Sequence, residues 1–552
     1  MAPLLLGGYG PRAEPDMRIM GTAAPPKPFF VQSPMHARFA TRSPVVSRRS
    51  VAASRALRPV TLGIATSALL LGCGTPGVRG VAGTAPAPNV LWTPPRPPPP
   101  PPPGQPAAAH AALPPELPPD LAARIAQLRL TDVIDIALRN NTATSAAWAD
   151  ARAAAATYGA AKGQYYPTIA LNGAVTAIRR TVSQAGQQAV EQQFYAPTLN
   201  LSWLLLDFGG RSGSVGAARA ALLAADWTHN ATLQTVVLAV EQAYFLYLST
   251  KALLDAQQTT LAEARTNLEA AEQRHKVGLA TIADVLQART ALSQARLGLE
   301  TTQGDLQTTR GALALSMGLP ANIPYDIEVV PDTTLPLGVI EGVDTLIAQA
   351  LRERPDLGAQ RALVEQARAR VSVARSQALP TLAVGGNAGE TYFISQPPPG
   401  SAKTGNSYNA TLTLSIPLFS GGTQIYTVKA ASAAAEAAAR RAQGFEQQVV
   451  YQVFNAFYGL RTATQQVRTS RDLLASATES EQVALGRYKA GAGSLLDLLT
   501  AQAALASARA QAIQARLSWN TALAQLAHDV GILGLDGSSR LRMQPDTTGT
   551  PK

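Results

Sequence analysis

The chain has 552 residues with 47 Lys+Arg against 36 Asp+Glu, a net charge of +11. Residues 1–72 hold nine basic and two acidic side chains, +7 of the total, and the +4 left for the rest excludes a body that binds nucleic acid along a basic stripe. Charged residues are 15 % and aromatics 5 %, where a soluble domain carries about 25 % charged residues, and a single cysteine excludes an internal disulfide framework or a CxxC metal site.

Arg55 and Arg58 precede the apolar run Val60–Leu71, which ends in Leu70-Leu71-Gly72-Cys73. A basic segment, a short apolar stretch and small residues at the cut form a secretory signal, and the run is shorter than the about 20 residues a membrane helix needs. Leu-Leu-Gly-Cys resembles the lipobox of bacterial lipoproteins, which implies that Cys73 becomes the acylated first residue of the mature chain; a plain signal with a chance cysteine is the other reading. Gly74 follows, not the aspartate that in that family implies inner-membrane retention. Residues 1–50 lack pattern and precede a complete signal, so the natural start is expected at Met35 or beyond. Residues 1–72 are therefore expected to be an N-terminal extension and signal peptide.

Residues 73–120 read as a Pro-rich linker. Sixteen of the 40 prolines lie between Pro86 and Pro119, seven of them consecutive from Pro97 to Pro103. Such a run forms a stiff polyproline II helix, expected here to act as a spacer rather than as a ligand for an SH3-type domain.

The body repeats itself. Tyr166-Pro167-Thr168 returns as Leu379-Pro380-Thr381, Phe208-Gly209-Gly210 as Ser420-Gly421-Gly422, and Arg274-His275-Lys276-Val277-Gly278 as Arg487-Tyr488-Lys489-Ala490-Gly491, while Asp284 returns as Asp497. The offset stays at 212 or 213, which chance does not hold over 150 residues. The units are expected at 121–335 and 336–535, followed by a disordered tail, 536–552.

Each unit reads helix, strand, strand, very long helix, turn, long helix. Leu121–Tyr165 and Val343–Ala378 have helical apolar spacing, with a break predicted at Pro355, and Pro167 and Pro380 stop them. Thr198–Leu205 alternates Leu199, Leu201, Trp203 and Leu205 with polar residues, and Asn409–Leu418 alternates in the same way. Thr168–Ile178 and Thr381–Ala388 alternate more weakly. These four segments match tilted membrane strands of about 9–11 residues. Arg211–Gln273 and Thr423–Arg487 contain no proline and no uncharged apolar run long enough to span a bilayer, so long helices outside the membrane are expected, each returning through a turn at Val277-Gly278 or Ala490-Gly491.

Four strands cannot close a barrel, because single-chain barrels need about eight, and open strand edges are not tolerated in lipid. The chain must oligomerise if these strands enter a membrane; two soluble hairpins packed on helices are the alternative. Here the residues resemble the TolC-like outer-membrane factors, and the lipobox resembles the lipoprotein branch that partners resistance-nodulation-division pumps. The resemblance rests on Asp207-Phe208-Gly209-Gly210 and Phe419-Ser420-Gly421-Gly422 at the strand-to-helix corners, and on the duplicated turns with Asp284 and with Ser494 and Asp497. It covers residues 130–535 and implies a mainly α fold with a membrane β-barrel. A homotrimer would give a twelve-stranded barrel from four strands per chain, helical hairpins would form a periplasmic tube, and a smaller equatorial domain would draw on Asn322–Gly342 and the chain termini.

The resemblance also implies site roles. Asp284, Asp497 and Tyr488 would form the periplasmic gate. Arg274, Lys276, Gly278, Arg487, Lys489 and Gly491 would form turns that dock a periplasmic adaptor, and Gly209, Gly210, Gly421 and Gly422 would form the corners. Thr500 and Gly493 depart from the pattern, standing where some members have a second aspartate and a basic residue. From the residues alone, Asp497 is equally a solvated helix-start carboxylate, and the turn glycines need only a tight turn.

No phosphate loop, HExxH or nucleophile elbow occurs, so no enzyme activity, cofactor or metal is expected. His229, His275 and His528 are expected to be exposed helix or turn residues. The function implied is a passive outer-membrane exit duct for small toxic compounds, working with an adaptor and an inner-membrane pump and seated in outer-membrane lipid. The exit duct of a type I protein-secretion system is the near rival, and a coiled-coil adaptor lipoprotein without a pore the more distant one.

Overall fold

Proline, glycine and one asparagine divide the chain into its elements. The computed structural model describes residues 84–85, 87–93, 127–180, 190–328, 342–395 and 403–533, all within the unit Pro76–Lys552. The signal segment, Cys73, the run Pro97–Pro103 and the C-terminal tail lie outside the described residues.

The first unit opens with two helices, α1 (Leu130–Asn140) and α2 (Thr142–Gly163), where one was expected. Asn141 interrupts them: its backbone is extended, and its side chain accepts a hydrogen bond from Ala143 N at 2.8 Å, so it caps a new helix. In the second unit α5 (Val343–Glu353) and α6 (Pro355–Ser376) break at Pro355 as predicted, with proline at the first helical position. A glycine closes each unit onto its break: a Cβ on Gly318 would lie 2.6 Å from Asn140 O, and one on Gly531 3.0 Å from Arg354 Cα.

Strands β1 (Thr168–Arg180), β2 (Val190–Leu206), β3 (Thr381–Ser395) and β4 (Thr404–Ser415) form one antiparallel sheet in the order β1-β2-β3-β4. All four run longer than their alternation predicted, β4 by starting earlier at Thr404. β2 passes through Pro197, which pairs with Gly173 on one side; on the other, Gly389 keeps clear of Pro197 O, where a Cβ would lie 2.7 Å away. β4 ends at Ser415 instead of Leu418, because Pro417 offers no N–H to the ladder.

Helices α3 (Gly210–Lys276) and α7 (Thr423–Lys489) have 67 residues each, about 100 Å at 1.5 Å per residue. They return as α4 (Ile282–Ser316) and α8 (Leu495–Val530). No described helix is long and apolar enough to cross a membrane. Near the sheet α2 packs on α3, α3 on α6 and α6 on α7. That is the order of the strands to which they connect, so the sheet and the helices form one ribbon four elements wide. Farther on, α3 packs on α4 and α8, and α7 on α8. A core with Val133, Ile136, Val240, Tyr244, Leu313, Met317 and Ile327 gathers α1 against α3 and α4, and a second with Leu346, Val449, Val453 and Leu526 gathers α5 against α7 and α8.

Residues 84–85 and 87–93, within the expected linker, pack against the body. Trp92 N donates to Asn230 Oδ1 and Asn230 Nδ2 donates to Trp92 O, both at 2.7 Å, so one amide side chain reads both backbone groups of Trp92. Trp148 Nε1 donates to Ala85 O at 2.8 Å, and the Trp92 ring meets Trp227 edge-on at 5.3 Å. Trp227 in turn lies over Gly358 of α6, where a Cβ would come within 2.9 Å of the indole. This strap covers His229, which is buried and bonds Val90 O at 3.1 Å, correcting the expectation of an exposed histidine. His528 is half-buried, against Asp529 at 3.0 Å, and His275 is exposed.

Candidate functional site

The first corner joins β2 to α3 through residues 207–209, and the second joins β4 to α7 through residues 416–422. Phe208 and Gly209 have positive φ (44° and 106°), as do Gly421 and Gly422 (62° and 83°), a conformation that glycine adopts without steric cost. Gly210 has ordinary φ but no room, since a Cβ would lie 2.9 Å from both Asp207 Oδ2 and Ser376 Oγ. Arg211 fastens this corner, donating to Leu205 O at 2.9 Å and pairing with Asp207 at 3.4 Å. The second corner has no such pair among the described residues, and Leu418 and Phe419 stand exposed there.

The sheet has two chemically distinct faces. On β2 the apolar Tyr195, Leu199, Leu201, Trp203 and Leu205 are 37–48 % exposed, while Phe194, Ala196, Thr198 and Asn200 opposite are half-buried. Side chains shield one another on the concave face of a curved sheet. At β2 the sheet thus curls with Leu199, Leu201, Trp203 and Leu205 outward, and with Thr198 and Asn200, beside Ala196 and Phe194, inward. Ile169, Leu171 and Val175 of β1 and Leu412 and Leu414 of β4 continue the outer face and are exposed. Among strand pairs, β1 and β4 each have one unpaired edge.

The two hairpin turns are built alike. Gly278 and Gly491 take φ of 77° and 73°, which lets Leu279 N donate to Arg274 O at 2.8 Å and Ala492 N to Arg487 O at 2.9 Å. Thr281 then caps α4 and Ser494 caps α8, each in a capping box completed by Asp284 or Asp497. Backbone and hydroxyl hydrogen bonds from Thr281 hold the Asp284 carboxyl below the usual carboxylate range, and Ser494 does the same for Asp497. Both aspartates are thus ionised and committed to their own helix starts.

Tyr488 is buried among Ala271, Val285, Ala288, Leu495 and Leu498, where the two hairpins meet. The Arg274 guanidinium lies 4.3 Å from its ring centroid and donates to Tyr488 O at 3.1 Å. Arg274, expected at the docking surface, is half-buried in this contact, whereas Lys276, Gly278, Arg487, Lys489 and Gly491 are exposed. Two further ties join the hairpins and carried no local signal in the sequence. Asn267 donates to Gln502, which donates to Glu481 at 3.3 Å, and Arg509 pairs with Glu263 at 3.3 Å. Partners 235 and 246 residues apart become visible only once the register of α3 against α8 is known.

Among the described residues no three His, Cys, Asp or Glu side chains converge to hold a metal.

The family model described as outer membrane efflux protein matches the chain twice, over residues 133–319 and 346–531, once per unit. Protein CyaE of Bordetella pertussis is 30 % identical over 431 residues, covering 75 % of this chain and 87 % of that protein. The probable efflux pump outer membrane protein TtgC of Pseudomonas putida is 25 % identical over 411 residues, 73 % of this chain and 82 % of its own. The crystal structure of a membrane protein from Pseudomonas aeruginosa superposes with a TM-score of 0.66 at 24 % identity, over 73 % of this chain and 93 % of that one.

Proposed function

Because the chain belongs to the outer membrane efflux protein family, we propose that three copies close into a passive outer-membrane exit duct. The observation that carries this reading is the ribbon: an unclosed four-stranded sheet, apolar on its outer face, continuing element by element into a helical layer. Open edges are excluded in lipid. Identical copies joined edge to edge satisfy the edges of sheet and helix layer together, giving a twelve-stranded barrel above a helical tube.

The hairpin turns form the periplasmic end, with Asp284, Asp497 and Tyr488 at the aperture. The exposed Lys276, Arg487 and Lys489 beside Gly278 and Gly491 receive a periplasmic adaptor, which couples the duct to an inner-membrane pump of the resistance-nodulation-division type. The cargo is small toxic compounds, in line with the relative named as an efflux pump component. Acylated Cys73 anchors the chain in outer-membrane lipid; the mass of the mature N-terminal peptide checks this, and an unmodified peptide starting elsewhere refutes it.

The test of the duct is assembly. Detergent-extracted protein is expected to run as a trimer and to conduct ions in planar bilayers. Leu412→Asp places three carboxyl groups on the lipid face, each costing up to a few kcal/mol near the midplane (about 2–4 for Arg or Lys, less for Asp), and is expected to block trimer formation. A stable monomer without conductance ends the reading.

A further inference from the structure

Across its middle, from the row of Thr168 to that of Asn172, the concave face of the sheet is lined by polar and small residues and carries no charged side chain. Three rows of residues cross it in register. Thr168, Ser202, Gly385 and Thr411 form one, and Asn172, Thr198, Gly389 and Ser407 another. Between them, Asn200 pairs with Asn387 and Asn387 with Asn409, so three neighbouring strands present an asparagine at the same height, beside Ala170 of β1. The row is knitted to the backbone, since Asn387 N donates to Asn409 Oδ1 at 3.3 Å.

The charges that the strands do carry lie elsewhere. Arg179 faces Glu191 across β1 and β2 at 3.3 Å, and alternation puts both on the outer face. Glu390 is outer as well and accepts from the Tyr392 hydroxyl. Arg180, paired with Val190 at the end of β1, and Lys403, whose O accepts from Phe393 N just before β4, fall in the alternation of the concave face, at its rim. The sequences joining the strands, residues 181–189 and 396–402, contain no Asp, Glu, Lys or Arg. At the opposite end of the molecule, the hairpin turns hold Asp284, Asp497, Arg487 and Lys489.

A fixed charge on a wall with low-dielectric backing raises or lowers the potential of the whole lumen, by several kT for a ring. Amides and hydroxyls instead offer a donor and an acceptor to any solute and add no net field. We propose that the barrel wall is a charge-indifferent hydrogen-bonding surface, with Asn200, Asn387 and Asn409 as the contact that passing cations, anions and neutral polar solutes share. Selection by charge is then made at the rim or in the helical part of the duct, not along the wall between them. This rests on the exit-duct reading, which puts the concave face on the lumen.

Local potential is read by thiol modification. Asn387→Cys, with Asn409→Cys as a second site, is exposed in the assembled trimer to a cationic and an anionic water-soluble methanethiosulfonate reagent, with the unsubstituted protein as the blank for Cys73. Rates are divided by those with a free thiol in solution. A corrected ratio within about threefold of unity is expected, since each kT of local potential would split reagents of charge +1 and −1 by about sevenfold. A ratio beyond about tenfold in either direction overturns the proposal. Adding Asn387→Asp to Asn409→Cys is expected to favour the cationic reagent by at least about sevenfold; no change would mean that solutes do not sense the wall, which also overturns it. Leu412→Cys on the outer face separates the two levels of inference. Equal modification of Leu412→Cys and Asn387→Cys sinks the exit-duct reading itself, whereas a protected Leu412→Cys with a strong charge preference at Asn387→Cys sinks only the charge-indifferent wall.

Discussion

Asp226 is fully buried near the strap, and neither carboxyl oxygen has a hydrogen-bond partner. Desolvation pushes its carboxyl up to about 7. The unfolded carboxyl ionises near about 4, so between those values the folded protein holds a proton that the unfolded chain has lost. Stability is therefore full below about pH 4, falls as pH rises, and stays reduced above about 7, by an amount on the order of a few kcal/mol. Asp226→Asn removes the ionisation and keeps the size. Thermal unfolding of the purified protein is expected to show the variant more stable than the parent at pH 8 and nearly equal at pH 4.5. A parallel pH dependence in the two proteins would mean that water or a cation reaches the carboxylate. His229, one turn on, is pushed down by burial and stays neutral, with the proton on the Nε2 that faces Val90 O. Nothing near position 229 in the sequence signals this burial. The residues that cover it lie about 140 positions upstream, in a stretch whose proline content reads as a spacer.

Among the elements, those ended by local chemistry were legible and those ended by distant contacts were not. Pro167, Pro355 and Pro380 stop or start helices where backbone rules require it, and Gly278 and Gly491 mark turns followed by Thr281 and Ser494, each three residues ahead of an aspartate. The break at Asn141 went unread because asparagine is tolerated inside helices. What makes it a break is the second observation, Gly318 pressing on Asn140 from the end of the unit. The strands were legible by face and too short by extent. Alternation of Leu with Thr and Asn found Leu199 to Leu205 but fades where Ala196, Pro197 and Gln193 continue β2, and there the pairing with β1 and β3 sets the length. The faces themselves, read from alternation, place the apolar side chains as found. The sense of curvature came only with the structure.

At the scale of the whole molecule, the two long hairpins could splay at their free ends unless something joins them. Asp284 and Asp497 cannot do so, since each is bonded within its own hairpin. The joining contacts are Glu263–Arg509, Asn267–Gln502 and Arg274–Tyr488, each spanning the first and second units. Arg274 contributes most at the tip, because it gives both a hydrogen bond and a cation–π contact to Tyr488, together worth about 1–2 kcal/mol in a half-buried setting. Losing about 1 kcal/mol per chain shifts a closed-to-open ratio by about fivefold for each copy. Single-channel recordings of the trimer are therefore expected to show a clearly larger open fraction for Arg274→Ala. Tyr488→Phe, which keeps the ring and the carbonyl that Arg274 uses, is expected to show little change. Asp497→Asn keeps the side-chain size and an oxygen able to accept from Ser494 N, so the ties persist, but a ring of three carboxylates loses its charge. Cation selectivity and block by divalent cations from the periplasmic side are expected to weaken while the open fraction stays close to that of the parent, and Asp284→Asn should act in the same direction. The two effects are thus separable: the arginine sets how often the end opens, and the aspartates set which ions enter it. Unchanged gating in Arg274→Ala would make its contact one of packing alone, and unchanged selectivity in Asp497→Asn would leave that carboxylate as a helix cap and put the aperture elsewhere.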